Sequence, residues 1–151
     1  MRLTRFTDYS LRVVLYLATH GSKRVTQEEI SAVFGISRNH LMKIVQHLSA
    51  EGIIETFRGK QGGMVLNVPP GELTVGTVVR STERDLDLID CHDPPCGLAG
   101  ACSLKGALDR ARDAFLEVLD GTTVEEVLSD RKMAAALSGV SGAVSLTLAG
   151  D

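Results

Sequence analysis

The chain has 151 residues, enough for one domain with a real core plus an appendage and too few for two ordinary domains. Its 44% hydrophobic and 23% charged content is that of a soluble globular protein, and no apolar run reaches the roughly 18–20 residues that a bilayer span requires. The net charge of −3 conceals a division, because residues 1–67 carry nine Lys/Arg against five acids and the remainder seven against fourteen; the basic first half suits a polyanion and the acidic second half does not.

The N-terminus, MRLTRFTDYS, enters directly into a patterned helix rather than a signal peptide, so a cytoplasmic location is expected. Phe6–His20 predicts a helix opened by Thr7 as N-cap, with Asp8 in its first turn, and closed by Gly21. Leu11, Val13, Val14, Leu15, Tyr16 and Leu17 make it apolar nearly all round. Such a helix must be covered on more than one side, by an additional layer or by a partner chain.

Thr26-Gln-Glu-Glu29 has the form of a capping box and starts a helix over Gln27–Phe34 that ends at Gly35. Ser37 then caps a second helix through Ala50, stopped by Gly52. Its Leu41, Ile44, Val45 and Leu48 share one face, while Arg38, Asn39, Lys43, Gln46 and His47 are left outside. Next comes IIETFRGKQGGMVL, where β-prone Ile53–Phe57 and Met64–Leu66 flank a basic, glycine-rich turn. Two short helices followed by a basic hairpin make a winged helix-turn-helix, ended by Pro69-Pro70-Gly71.

Val75 to about Arg84 predicts a further short helix. Ser103–Leu119 predicts a long one, with Leu104, Leu108, Ala111, Phe115 and Val118 spaced as a heptad seam about two heptads long. With the surplus apolar surface of Phe6–His20, this seam points to a dimer in which the long helix crosses to the partner. Thr123–Leu128 is a short helix. The expected fold is mainly α with a small β-hairpin wing. Residues 1–75 form the winged helix-turn-helix, 76–101 a short helix and cysteine loop, 102–130 a dimerisation helix and following segment, and 131–151 a flexible tail.

In such a unit the second helix lies in the major groove and its early residues touch base edges. Here those are Ser37, Arg38, Asn39, His40 and Lys43, with Arg suited to guanine and Asn to adenine. Arg58 and Lys60 occupy the wing, where glycines let backbone approach phosphates or a minor groove. Double-stranded DNA is the expected partner, with no membrane association.

All three cysteines fall in CHDPPCGLAGAC, residues 91–102, spaced C-x4-C-x5-C. A reducing compartment and the odd count disfavour disulfides. The loop is too polar and too rich in Pro and Gly to be a packed apolar element. An iron–sulfur cluster, larger than one metal ion, can take thiolates from so wide a loop. Zinc is the second reading, although its pairs usually sit closer and a second pair is missing. Unligated or redox-active thiols are the third.

FTDYSLRVVLYLA, SRNHLMKIVQHLS, FRGKQGGMVL, GTVVRSTE and the cysteine loop followed by LKGALDRA together resemble the NsrR-like nitric-oxide-sensing repressors. These belong to the winged-helix iron–sulfur regulators that also include the IscR-like members. The resemblance covers about residues 1–130. It implies a homodimer that binds a palindromic operator with its cluster intact and releases it after nitrosylation by nitric oxide. By position it implies Cys91, Cys96 and Cys102 as cluster ligands. It implies Asp8, from the F-T-D-Y segment of the partner chain, as the fourth ligand of a [4Fe–4S] cluster; [2Fe–2S] remains open, and His92 is the alternative ligand. IscR-like members place a His three residues after the last Cys, where this chain has Lys105. A regulator of that kind, sensing iron–sulfur status or redox state, is the alternative function. An iron–sulfur carrier without DNA affinity is the alternative of another class, and a zinc-stabilised repressor without sensing is a third. No catalytic triad, nucleotide loop or paired acid–base constellation is present, so an enzyme is not expected.

Overall fold

In the computed structural model, which describes residues 2–98, 101–137 and 139, the first helix, α1 (Arg5–His20), starts from Thr4. The Thr4 hydroxyl accepts the Thr7 amide at 3.3 Å, satisfying one of the donors that a helix start leaves free. The cap expected at Thr7 therefore lies three residues earlier. Thr7 is inside the helix and fully buried, its hydroxyl 3.1 Å from that of Thr4.

The next elements follow the expected order: α2 (Gln27–Phe34), α3 (Arg38–Ala50), the antiparallel strands β1 (Ile54–Phe57) and β2 (Gly63–Leu66), then α4 (Val75–Thr82). After the cysteine loop come α5 (Ser103–Asp120) and α6 (Val124–Ser129). In the hairpin Ile54 pairs with Leu66 and Phe57 with Gly63. Val25 extends it on the far edge of β2 by exchanging two backbone hydrogen bonds with Met64, at 3.0 and 2.8 Å. The core joins Val13, Val14 and Leu17 of α1 with Ile30 of α2, Leu41, Ile44 and Leu48 of α3, and Met64 of the hairpin.

Two features carry the chain back onto this core after α5. Residues 73–75 and 122–124 pair as a short bridge, the Val124 amide donating to the Leu73 carbonyl at 2.8 Å and Val75 to Thr122 at 2.9 Å. Val124, 1% exposed, then enters the same cluster as Val13 and Leu41, with Leu128 packed against it. A capping box holds the start of α6: Thr123 N–H donates to the Glu126 carboxylate at 2.9 Å and Glu126 N–H to the Thr123 hydroxyl at 3.1 Å. The additional layer that α1 required is thus supplied by α4 and α6 of the same chain. Residues 131–137, placed at sequence level in the tail, are helical with Leu137 buried, and the rest of that expected tail lies outside the described residues apart from 139.

The long helix α5 projects from this body. It rests on α4 through Leu116, its one buried residue, while Leu104 and Val118 are 63% and 67% exposed. No helix among the described residues is long and apolar enough to cross a membrane.

Candidate nucleic-acid interface and cysteine loop

Local chemistry fixes the angle between α2 and α3. Thr26 and Glu29 close the predicted capping box, with Thr26 N–H to the Glu29 carboxylate at 2.6 Å and Glu29 N–H to the Thr26 hydroxyl at 3.2 Å. Gly35 takes the left-handed conformation that ends α2 (φ 64°), a geometry that L side chains disfavour. Ser31 hydroxyl donates to the Ile36 carbonyl across the turn at 2.8 Å, and Ile36 itself is buried. Ser37 then caps α3 by accepting the His40 amide at 3.4 Å. With Leu41, Ile44, Val45 and Leu48 buried beneath, Ser37, Arg38, Asn39, His40 and Lys43 are all exposed together, as the sequence implied.

Arg38 is not free. Its guanidinium donates to the Glu28 carboxylate at 2.5 Å, with the two side chains 72% and 58% exposed. Exposed pairs of this kind contribute little, so Glu28 does not fix the Arg38 guanidinium. Glu28 also lines a groove shared with Arg58 and Lys60 of the wing turn, which places the α2–α3 unit and the wing on one surface. The wing is braced by Arg24, whose guanidinium lies over the Phe57 ring at 3.9 Å and donates to the Gln61 carbonyl at 2.9 Å. In the sequence Arg24 is no more than a basic charge; its aromatic partner stands 33 positions away, and no local pattern announces such a contact.

His47, read from sequence as an outward residue of α3, is half-buried. Its Nε2–H donates to the Ser81 carbonyl of α4 at 2.8 Å, and its ring meets Phe6 of α1 edge-on at 5.4 Å. Tyr9 of α1 likewise approaches His40 of α3, ring centroids 6.1 Å apart. Asp8 is half-exposed and held by Arg12 in a two-point contact, Nη2 to Oδ2 at 3.0 Å and Nε to Oδ1 at 3.1 Å; Arg12 in turn lies 5.9 Å from the Tyr9 ring. A contiguous set of contacts therefore runs from Asp8 through Arg12 and Tyr9 to His40 on α3.

The cysteine loop hangs between two anchors. Arg112 of α5 donates to Asp87 and Asp113 and pairs at longer range with Asp109, tying the segment before the loop to α5; its hydrogen bonds to Asp113 and Asp87 raise its pKa. Asp90 accepts the His92 amide at 2.8 Å and the Asp93 amide at 3.3 Å, and these two donors hold its carboxyl below the ordinary aspartate range. Cys91 is buried, Cys96 exposed and Cys102 half-buried, and none is in a disulfide. Cys102 is the N-cap of α5, its sulfur accepting the Lys105 amide at 3.4 Å.

This donor set fits an iron–sulfur cluster in its chemistry: three thiols outside any disulfide on one loop, one of them capping α5. The described residues do not bring three His, Cys, Asp or Glu side chains around a common point, and Asp8 sits with Arg12 rather than with the cysteines of its own chain. Lys105 contributes no ligand. The Asp109 carboxylate, at 2.9 Å from its Nζ, is the main cause of a pKa held above the lysine norm, and an ammonium has no lone pair to offer. His92 is exposed.

A winged helix with an exposed polar reading face, continued by a long helix bearing a cysteine loop, defines a DNA-binding regulator, and the comparisons agree. Residues 3–130 match the model of the Rrf2 family, described as an iron-dependent transcriptional regulator, and the chain belongs to that family. It is 44% identical over 135 residues to the HTH-type transcriptional regulator NsrR of Geobacillus kaustophilus, covering 87% of this chain and 92% of that protein. It is 39% identical over 135 residues to NsrR of Bacillus licheniformis, with 87% and 94% covered. Among solved structures it matches CymR (YrzC), the global cysteine regulator of B. subtilis, with a TM-score of 0.73 and 27% identity over 85% of this chain and 97% of that one. These relatives are transcriptional regulators, not enzymes.

Proposed function

We propose that this chain is a homodimeric repressor that senses nitric oxide through an iron–sulfur cluster. Cys91, Cys96 and Cys102 hold the cluster, and Asp8 of the partner subunit completes a [4Fe–4S] ligand set. Ser37, Arg38, Asn39, His40 and Lys43 read the major groove of a palindromic operator, and Arg58 and Lys60 engage the backbone beside it. The observation that carries the reading is the joining, in one chain, of an exposed polar face on α3 to three thiols outside any disulfide on the loop that leads into α5. The relatives named NsrR support the same conclusion. The exposed Leu104 and Val118, on the seam predicted for a partner, support the dimer.

When bound, the cluster supplies iron that reacts with nitric oxide. Asp8 is the ligand set's harder and more readily displaced member. Asp8 would either hold the cluster of the partner subunit or pair with Arg12, and the contacts through Arg12, Tyr9 and His40 would couple that choice to α3. The two reading helices of a dimer must lie about 34 Å apart to enter successive grooves, so a small rotation of one subunit spoils both half-sites.

Purification of the full chain without air tests the cluster. Visible thiolate–iron absorption should accompany iron and sulfide in equal amounts, and both should disappear in variants of Cys91, Cys96 or Cys102. Asp8→Ala should keep the iron while changing the rate of reaction with nitric oxide. A colourless protein carrying zinc instead contradicts the proposal.

A further inference from the structure

The outward side of α3 is a single stripe. Asn39, Met42, Lys43 and Gln46 stand at i, i+3, i+4 and i+7, opposite the buried Leu41, Ile44, Val45 and Leu48, and all four are exposed. Three of the four are polar. Met42 is the exception, 55% exposed. The other exposed large hydrophobic residues among those described are Leu98, Leu104 and Val118, all in the cysteine loop or on α5. Met42 thus stands alone on the winged-helix body, on the one face that enters a groove, between side chains suited to hydrogen bonding.

Each neighbour on the stripe has a partner in the major groove: the Asn39 and Gln46 amides match adenine N6 and N7, and Lys43 matches guanine or phosphate. One further feature of that groove is apolar, the 5-methyl group of a pyrimidine. We infer that Met42 is a specificity-determining residue whose side chain packs on the 5-methyl group of a pyrimidine within each half-site of the operator. The thioether chain is unbranched and adaptable, so it can follow a methyl group while Asn39 and Lys43 hold the helix in register. The inference rests on α3 being the DNA-reading helix and names what one position of it reads. Thymine and 5-methylcytosine present the same methyl group in the same place.

The test starts from duplexes recovered by the air-free full chain from a randomised pool. Each thymine of the recovered half-site is replaced in turn by deoxyuridine, which removes only the methyl group, and each cytosine by 5-methylcytosine. Burying one methyl corresponds to about a fourfold change in affinity, so one position per half-site should lose about fourfold with uracil. That loss should persist in Met42→Leu and vanish in Met42→Ala and Met42→Gln. If the sensitive position is instead a cytosine that gains affinity on methylation, with the same dependence on residue 42, the methyl group read is that of 5-methylcytosine. A uracil effect equal in wild type and Met42→Ala, or absent at every position, overturns the inference while leaving DNA binding intact. Recovery of no preferred sequence overturns the DNA-reading role of α3 and the inference together.

Discussion

Replacing Gly76 by alanine sets two effects against each other. In an open helix the change is favourable, worth up to about 1 kcal/mol, because glycine is the poorer helix former. At position 76 the new Cβ would overlap Oδ1 of Asp120 and lie 2.8 Å from both the Cγ and the backbone nitrogen of that residue. The carboxylate can swing aside only by leaving Arg80, which holds it at 2.6 and 3.2 Å, and the backbone nitrogen cannot swing at all. The end of α5 must therefore move away from α4 by about half an ångström to restore an ordinary separation. Overpacking of this kind costs about 1–3 kcal/mol. Because the obstacle is rigid backbone, the upper end of that range applies, and the net change is a loss of about 1–2 kcal/mol. For a chain of this length that lowers Tm by about 2–8 °C, read by circular dichroism at one fixed protomer concentration. Because α5 starts from its Cys102 cap and carries the seam proposed for the dimer, DNA affinity should fall by more than the stability loss alone explains. A Tm equal to or above wild type would show that α4 and α5 do not meet as closely as described.

Three further outcomes follow from the same geometry. Leu104→Asp with Val118→Asp should convert the dimer to monomer in analytical ultracentrifugation; an unchanged dimer would place the interface elsewhere. Asp120 has its pKa lowered, chiefly by the Arg80 hydrogen bond, so its contribution is present at neutral pH and is lost as the pH falls through that lowered value. Asp120→Asn should accordingly be less stable than wild type at pH 7, with the difference shrinking in acid, as denaturant midpoints will show; a constant difference would contradict the linkage. Removing both Arg58 and Lys60 should flatten the log K against log salt slope by about 0.9 for each phosphate left without its cation, and an unchanged slope would take the wing off the backbone.

Much of this architecture is written in short-range signals. The capping box at Thr26, the glycine at 35 and the opposed faces of α3 are each set within a few residues, and the winged helix follows from their order. The start of α1 is ambiguous in sequence because Thr4 and Thr7 both stand where a cap could, and the adjacent Asp8 favours the wrong one. The cover over α1 comes from Val124, more than a hundred positions away, through a six-residue helix too short to announce which face it buries. Its T-V-E-E capping box is nonetheless there to be seen. The C-x4-C-x5-C spacing marks a thiol-bearing loop but leaves a cluster, zinc and unligated thiols all open. The tethers that position that loop, Arg112 to Asp87 and Asp90 to the amides that follow it, depend on tertiary placement and on turn geometry. Arg24 over Phe57 is of the same kind.

The claim on which the account turns is that the chemical state of a thiolate-bound cluster governs DNA affinity. It is tested most directly by titrating nitric oxide into the air-free, cluster-loaded dimer while the fluorescence anisotropy of a labelled operator duplex is followed at constant salt. Tight binding is expected before addition, followed by a loss that tracks the bleaching of the cluster absorption. Full-strength binding that survives complete bleaching, or equal binding by a preparation lacking iron, would contradict it.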